Sequence, residues 1–169
     1  LALPRFGIAE LPFAGEKVFV MRTGYTGEDG FEVAAPTGGI LAFWDVLLAR
    51  GGPQGLVPCG LGRRDRLRLE AGYLLYGQDA DETRTPYEAG CGWVVKLQKG
   101  DFLGREALLR RKEAGFREKL TGVRLLGRGV PRHGCAVWLG GRKMGELTSA
   151  TFAPSLGTGL GVGYLEAAA

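Results

Sequence analysis

Asparagine is absent from the 169 residues, methionine occurs twice and histidine once, as His133. A lone histidine leaves an imidazole-based metal centre short of ligands. Cysteine is nearly as scarce: Cys59, Cys91 and Cys135 are odd in number, widely spaced and form no CxxC pair. That argues against a disulfide framework or a thiolate zinc site and fits a reducing, cytoplasmic setting. No apolar run reaches bilayer-spanning length. The residues after Leu1 lack the charged, apolar and small-residue succession of a secretory signal. Charge of one sign is also missing, since 22 basic residues face 18 acidic ones for a net +4. The basic residues are spread out, with local clusters at Arg63-Arg64 and Arg110-Arg111-Lys112. Such clusters read as solvated helix faces rather than a nucleic-acid footprint. Arg-rich helices, few methionines and no asparagine lean toward a thermostable composition.

Glycine is abundant, at 30 of 169 residues, without a collagen-like period. The glycines sit between apolar segments, which predicts many tight turns and a β-rich or mixed fold. About 45% of residues are apolar, enough for a real core. The length suits one domain or two small ones.

Along the chain, Lys17–Arg22 reads as a strand and Gly30–Ala35 as its antiparallel partner. Between and around them runs Arg22-Thr-Gly-Tyr-Thr-Gly-Glu-Asp-Gly-Phe-Glu32, where three glycines punctuate hydroxyls and acids. A segment so poor in core residues and so rich in binding groups predicts a turn arranged around a ligand. Glu28 and Asp29 are expected to hold that turn by bonding backbone N–H groups. Pro36-Thr37 opens a helix through Leu48, ended by Gly51-Gly52. A second helix is predicted over Leu61–Ala71, and Gly77–Pro86 reads as loop. Gly92–Leu97 is predicted as a strand and Gly104–Ala114 as an amphipathic, basic helix with Leu108 and Leu109 inward. Thereafter Leu120–Leu126, Ala136–Leu139, Lys143–Ser149 and Leu160–Leu165 are short strands between glycine turns, Gly140-Gly141 marking a hairpin. Their spacing predicts a small antiparallel sheet or barrel. The expected fold is α+β, with a mixed portion over 1–116 and an incomplete β-barrel domain over 117–169. The chain reads as truncated at both ends, starting at Leu1 without Met and stopping at Ala169 with a strand pattern under way.

Four ordered blocks carry a family resemblance: Arg22–Glu32; Pro58-Cys-Gly-Leu-Gly-Arg-Arg-Asp-Arg-Leu-Arg-Leu-Glu-Ala-Gly72 with Leu75-Tyr-Gly-Gln-Asp79; Gly92–Leu97 with Asp101-Phe-Leu-Gly-Arg-Glu-Ala-Leu108; and Arg128-Gly-Val-Pro-Arg-His-Gly134 with Thr148–Gly157. In order and spacing they resemble aminomethyltransferase, the T-protein of the glycine cleavage system, over nearly the whole chain. The resemblance implies transfer of a one-carbon unit from an aminomethyl-dihydrolipoyl arm, carried by a lipoylated H-protein, to tetrahydrofolate with release of ammonia. Tetrahydrofolate enters as co-substrate, and neither a metal, a nucleic acid nor a membrane is expected as partner. The resemblance further implies a missing N-terminal half that holds the aspartate central to the chemistry, so that the residues of this chain serve binding and the fragment alone is inactive.

By the same resemblance Glu32 is the pterin-binding carboxylate, since a pterin edge offers adjacent N–H donors that a carboxylate accepts as a pair. Arg64 is the folate-contacting arginine, and Tyr25, Tyr73 and Trp93 line the pocket with aromatic walls. Arg132 is a tentative contact at the lipoyl entrance or the folate glutamate tail. Cys135, where relatives often carry an aromatic, and Ala150, where glycine is usual, depart from the pattern. Two related readings remain beside it: the folate domain of a sarcosine or dimethylglycine-type demethylase, and an iron–sulfur or RNA-modification helper of the same fold. The latter carry a Lys-Gly-Cys-Tyr-x-Gly-Gln type signature, whereas Leu75-Tyr-Gly-Gln-Asp-Ala-Asp-Glu82 stands here.

Overall fold

A computed structural model describes residues 2–167. The chain divides into two compact units, Leu1–Leu67 and Arg68–Ala169.

The first unit is built on a three-stranded antiparallel sheet of β1 (Ile8–Phe13), β2 (Glu16–Met21) and β3 (Glu32–Ala34), in that order. β2 and β3 are the strands expected on either side of the glycine-rich motif. The sequence reading placed no strand before Lys17, and β1 corrects it. Pro12 interrupts the β pattern there, and it is tolerated because β1 is an edge strand. The β1–β2 turn is Ala14-Gly15, not the Asn-Gly that announces a hairpin, yet both residues adopt positive φ, 50° and 81°. Within β1, half-buried Ala9, Leu11 and Phe13 alternate with exposed neighbours, and Leu11 lies opposite the buried Val18.

Helix α1 (Thr37–Gly51) forms as predicted. The Pro36 carbonyl accepts the amides of Gly39 and Ile40 at 3.0 and 3.2 Å, which starts the helix without a side-chain cap. Its Phe43 meets Phe13 edge-on, with ring centroids 5.2 Å apart. A short 3-10 turn, Gly52–Gln54, closes on Gly55 in the left-handed region at φ 90°. Helix α2 (Leu61–Glu70) follows, and the division between the units falls within it.

The second unit carries a four-stranded antiparallel sheet of β4 (Glu118–Arg124), β5 (Ala136–Leu139), β6 (Arg142–Ala153) and β7 (Thr158–Glu166), in the order β4-β7-β6-β5. All four strands lie where the glycine-punctuated pattern predicts them, although β6 runs on to Ala153. Gly140 and Gly141, at φ 57° and 81°, make the predicted β5–β6 hairpin. Strands β6 and β7 approach so closely that a Cβ on Gly163 would stand 2.1 Å from the Glu146 carbonyl oxygen. The register shifts between Leu147 and Ser149, as in a β-bulge. Helix α3 (Arg105–Ala114) is present, with Leu108 and Leu109 half-buried.

Gly92–Leu97 is not a strand. Gly92–Val94 is a 3-10 turn, closed by Val94 N–H to Cys91 O at 3.0 Å and Val95 N–H to Gly92 O at 3.1 Å. Trp93-Val94-Val95 has strand-forming residue types but no alternation, and its backbone groups are satisfied locally instead. The core of this unit combines Leu69, Ala89, Leu97, Leu147, Ala153 and Tyr164 with the buried polar residues Arg68, Asp79, Glu88 and Ser149. The chain as a whole is α+β, as expected, with helices segregated from antiparallel sheets.

Candidate functional site

The Arg22–Glu32 turn leaves the end of β2 and returns at the start of β3. Antiparallel pairing sets Glu32 opposite Met21. The Thr23 hydroxyl donates to Glu32 Oε2, so the carboxylate is oriented although it is exposed. Across the base of the turn Arg22 grips Asp29 with both sides of its guanidinium: Nε to Oδ1 at 3.0 Å and Nη2 to Oδ2 at 2.8 Å. Arg22 Nη1 also donates to Leu3 O at 2.9 Å. The Arg22 hydrogen bond lowers the Asp29 pKa, and the Asp29 bond raises that of Arg22. Asp29 therefore does hold the turn, but chiefly through a side-chain fork; the Gly30 amide is a lesser partner. Gly27 supplies the positive φ, 80°, that the reversal needs.

Arg64, on α2, places its guanidinium carbon 4.7 Å from the centroid of the Tyr25 ring. This cation–π contact joins two residues that the sequence reading had singled out separately. The first unit thus holds Glu32, Tyr25 and Arg64, with Tyr25 and Arg64 in direct contact.

Tyr73, Trp93 and Arg132 belong to the second unit. Tyr73 follows α2; its amide donates to Arg68 O at 2.7 Å, and its carbonyl accepts from Arg68 Nη1 at 3.1 Å. Its side chain keeps 37% of its surface exposed, while Trp93, on the 3-10 turn, keeps 75%. Arg132 is exposed, and its carbonyl accepts the Cys135 amide at 3.2 Å. The lone histidine, His133, has Nδ1 2.6 Å from Thr148 O.

Sequence reasoning missed the polar centre of the second unit. Arg68 and Asp79 are 1% and 0% exposed, and Arg68 Nη1 donates to Asp79 Oδ2 at 2.5 Å. Arg68 Nη2 donates to Ser149 Oγ at 2.9 Å, and Thr148 Oγ1 donates to Asp79 Oδ1 at 2.6 Å. The Tyr164 hydroxyl donates to Asp79 O at 2.8 Å, and burial raises its pKa. The one available signal was that Arg68 and Asp79 both fall inside quoted blocks; read along the helix, Arg68 looked like one more solvated charge.

Hollows occur elsewhere as well: one of about 630 Å³ at the β6–β7 turn is lined by Arg124, Arg128, Phe152 and Leu156 among others. None of the predicted site residues lines it.

An oriented carboxylate on a glycine-bounded turn and an arginine stacked on tyrosine mark the first unit, and a glycine-rich antiparallel sheet marks the second, of an α+β protein. Residues 2–99 match the family model of the GCVT N-terminal domain, and residues 118–169 match that of the glycine cleavage T-protein C-terminal barrel domain. The chain belongs to the glycine cleavage T-protein family. It is 48% identical over 152 residues to the aminomethyltransferase of Halothermothrix orenii, covering 90% of this chain and 43% of that protein. It is 47% identical over 157 residues to the aminomethyltransferase of Thermosynechococcus vestitus, covering 93% and 42%. The crystal structure of glycine cleavage system aminomethyltransferase T from Bartonella henselae matches with a TM-score of 0.82 at 36% identity, over 88% of this chain and 42% of that one. The chain spans less than half the length of these relatives. Among the described residues, no helix is long and apolar enough to cross a membrane.

Proposed function

We propose that the intact protein is an aminomethyltransferase of glycine cleavage. It moves a one-carbon unit from the aminomethyl-dihydrolipoyl arm of an H-protein to tetrahydrofolate, releasing ammonia, in the cytoplasm. The observation that carries this reading is the Glu32 carboxylate, oriented by Thr23 on the glycine turn, in the same unit as Arg64 stacked on Tyr25. The aminomethyltransferase names of the relatives support it. Glu32 accepts the paired N–H donors of the pterin, and Arg64 donates to its carbonyl side. Tyr25, Tyr73 and Trp93 supply flat apolar surface for the ring. Arg132 faces the folate glutamate tail or the lipoyl entrance. Such a site works by holding the acceptor nitrogen where the incoming carbon arrives, so its contribution is positioning and electrostatics. The aspartate central to the chemistry lies outside residues 1–169 in this reading, and the β-barrel domain begins near Arg117.

Each charge-assisted bond to the pterin is worth about 1.5–3 kcal/mol. Glu32→Ala in the intact protein therefore weakens tetrahydrofolate binding by about tenfold or more, measured by calorimetry. Unchanged affinity in that variant sinks the assignment. Residues 1–169 alone, incubated with aminomethylated H-protein and tetrahydrofolate, produce no methylenetetrahydrofolate; turnover by this chain alone would contradict the placement of the catalytic group.

A further inference from the structure

The buried ion pair of the second unit is joined to one of the proposed folate contacts by backbone bonds. Tyr73 is held at both ends of its peptide by one residue, since its amide donates to Arg68 O at 2.7 Å and its carbonyl accepts from Arg68 Nη1 at 3.1 Å. Asp79 closes the same loop from the other side. Its Oδ2 accepts from Leu75 N–H at 2.9 Å as well as from Arg68, and its own amide donates to Leu75 O at 2.7 Å. The pair is then tied to the sheet through Ser149 and Thr148 of β6 and Tyr164 of β7. Among the described residues, no buried side-chain polar atom lacks a partner.

We propose that Arg68 and Asp79 are positioning residues: they fix the Tyr73–Asp79 loop so that the Tyr73 ring is presented to folate in one orientation. The inference rests on Tyr73 being a folate contact. The attraction between the two charges is a poor reason for the pair, because desolvating them offsets much of it. An apolar pair cannot bond the Tyr73 carbonyl and the Leu75 amide at once. The result is a locked backbone beneath a ring that is still 37% exposed, the arrangement a precise binding site needs from its supporting residues.

The test uses the intact protein in three forms: wild type, the double variant Arg68→Met/Asp79→Leu, and Ser149→Ala, which removes one Arg68 anchor and keeps the ion pair. Tetrahydrofolate affinity, Tm and amide hydrogen exchange are measured on each. The double variant stays cooperatively folded with a Tm lowered by the lost backbone and Ser149 bonds, binds tetrahydrofolate about tenfold more weakly, and exchanges faster at Tyr73 and Leu75 while the β6 and β7 amides stay protected. Ser149→Ala shifts affinity in the same direction by less. Wild-type affinity in the double variant overturns the proposal. So does a loss of affinity that comes only with a collapsed Tm and faster exchange throughout β6 and β7, the signature of a merely structural pair. If the double variant does not fold, Ser149→Ala decides, and unchanged affinity there overturns it. If wild type fails to bind tetrahydrofolate, the folate reading fails. The orienting of the loop is then judged by exchange at Tyr73 and Leu75: selective loss of protection supports it, and no change overturns it.

Discussion

The Arg22–Glu32 turn and the Tyr73–Asp79 loop are both organised by an arginine–aspartate pair, yet they are built in opposite ways. Arg22 and Asp29 meet in solvent, where water and salt compete for the same charges. Arg68 and Asp79 meet where water does not reach. An exposed pair biases the shape of a turn at little energetic cost and is easily replaced. A buried pair commits the structure, because either charge left alone is intolerable in low dielectric. The first design leaves Glu32 exposed; the second ties the Tyr73–Asp79 loop to Thr148 and Ser149 of β6.

The widest separation between the two regions is expected from Asp79→Ala. It strands the Arg68 guanidinium in the core and removes the anchor of Leu75 N–H, for a loss of about 3–5 kcal/mol, read from urea denaturation. A loss below about 1 kcal/mol, within the range of exposed pairs, would mean that Arg68 finds water and would erase the contrast. Glu88→Gln comes next. Glu88 is 4% exposed and accepts from Thr85 N–H at 2.9 Å, Thr85 Oγ1 at 2.8 Å and Arg111 Nη2 at 2.5 Å. Burial pushes its pKa up, but the Arg111 and Thr85 hydrogen bonds outweigh it and hold the carboxyl below the ordinary glutamate range. A folded pKa below the unfolded one gives stability that is complete above the unfolded value and lost as pH falls through the folded one. At neutral pH Glu88→Gln loses about 1–2 kcal/mol, and the gap to wild type shrinks in acid. A gap that widens on acidification would reverse the sign assigned here. The smallest effect belongs to Asp29→Asn, which leaves the denaturation midpoint at neutral pH where it was, at low and at high salt alike. A loss comparable to that of Glu88→Gln would place the two pairs in one class.

Much of this was legible in sequence because it is local. Thr37–Gly51 opens behind Pro36 and ends at glycines; Gly140-Gly141 has chemistry well suited to two successive positive φ angles; Glu32 and Arg64 lie in blocks that the family resemblance identifies. Ala14 does not announce a hairpin, so β1 went unread. Trp93-Val94-Val95 has the residue types of a strand, but local carbonyls satisfy its amides and it curls into a turn. The meeting of Tyr25 with Arg64 joins a turn to a helix, and no periodicity connects them.

By itself the sequence determined the order of strands and helices after Lys17 apart from Gly92–Leu97, the turn that carries Glu32 and the membership in the T-protein family, because these depend on neighbouring residues and on ordered motifs. Only tertiary structure decided which charges lose their water. Arg68 is an ordinary helix arginine until Asp79, 11 residues on, and Ser149, 81 residues on, are folded against it. Desolvation is a property of the space around a side chain, and that space is assembled from distant segments.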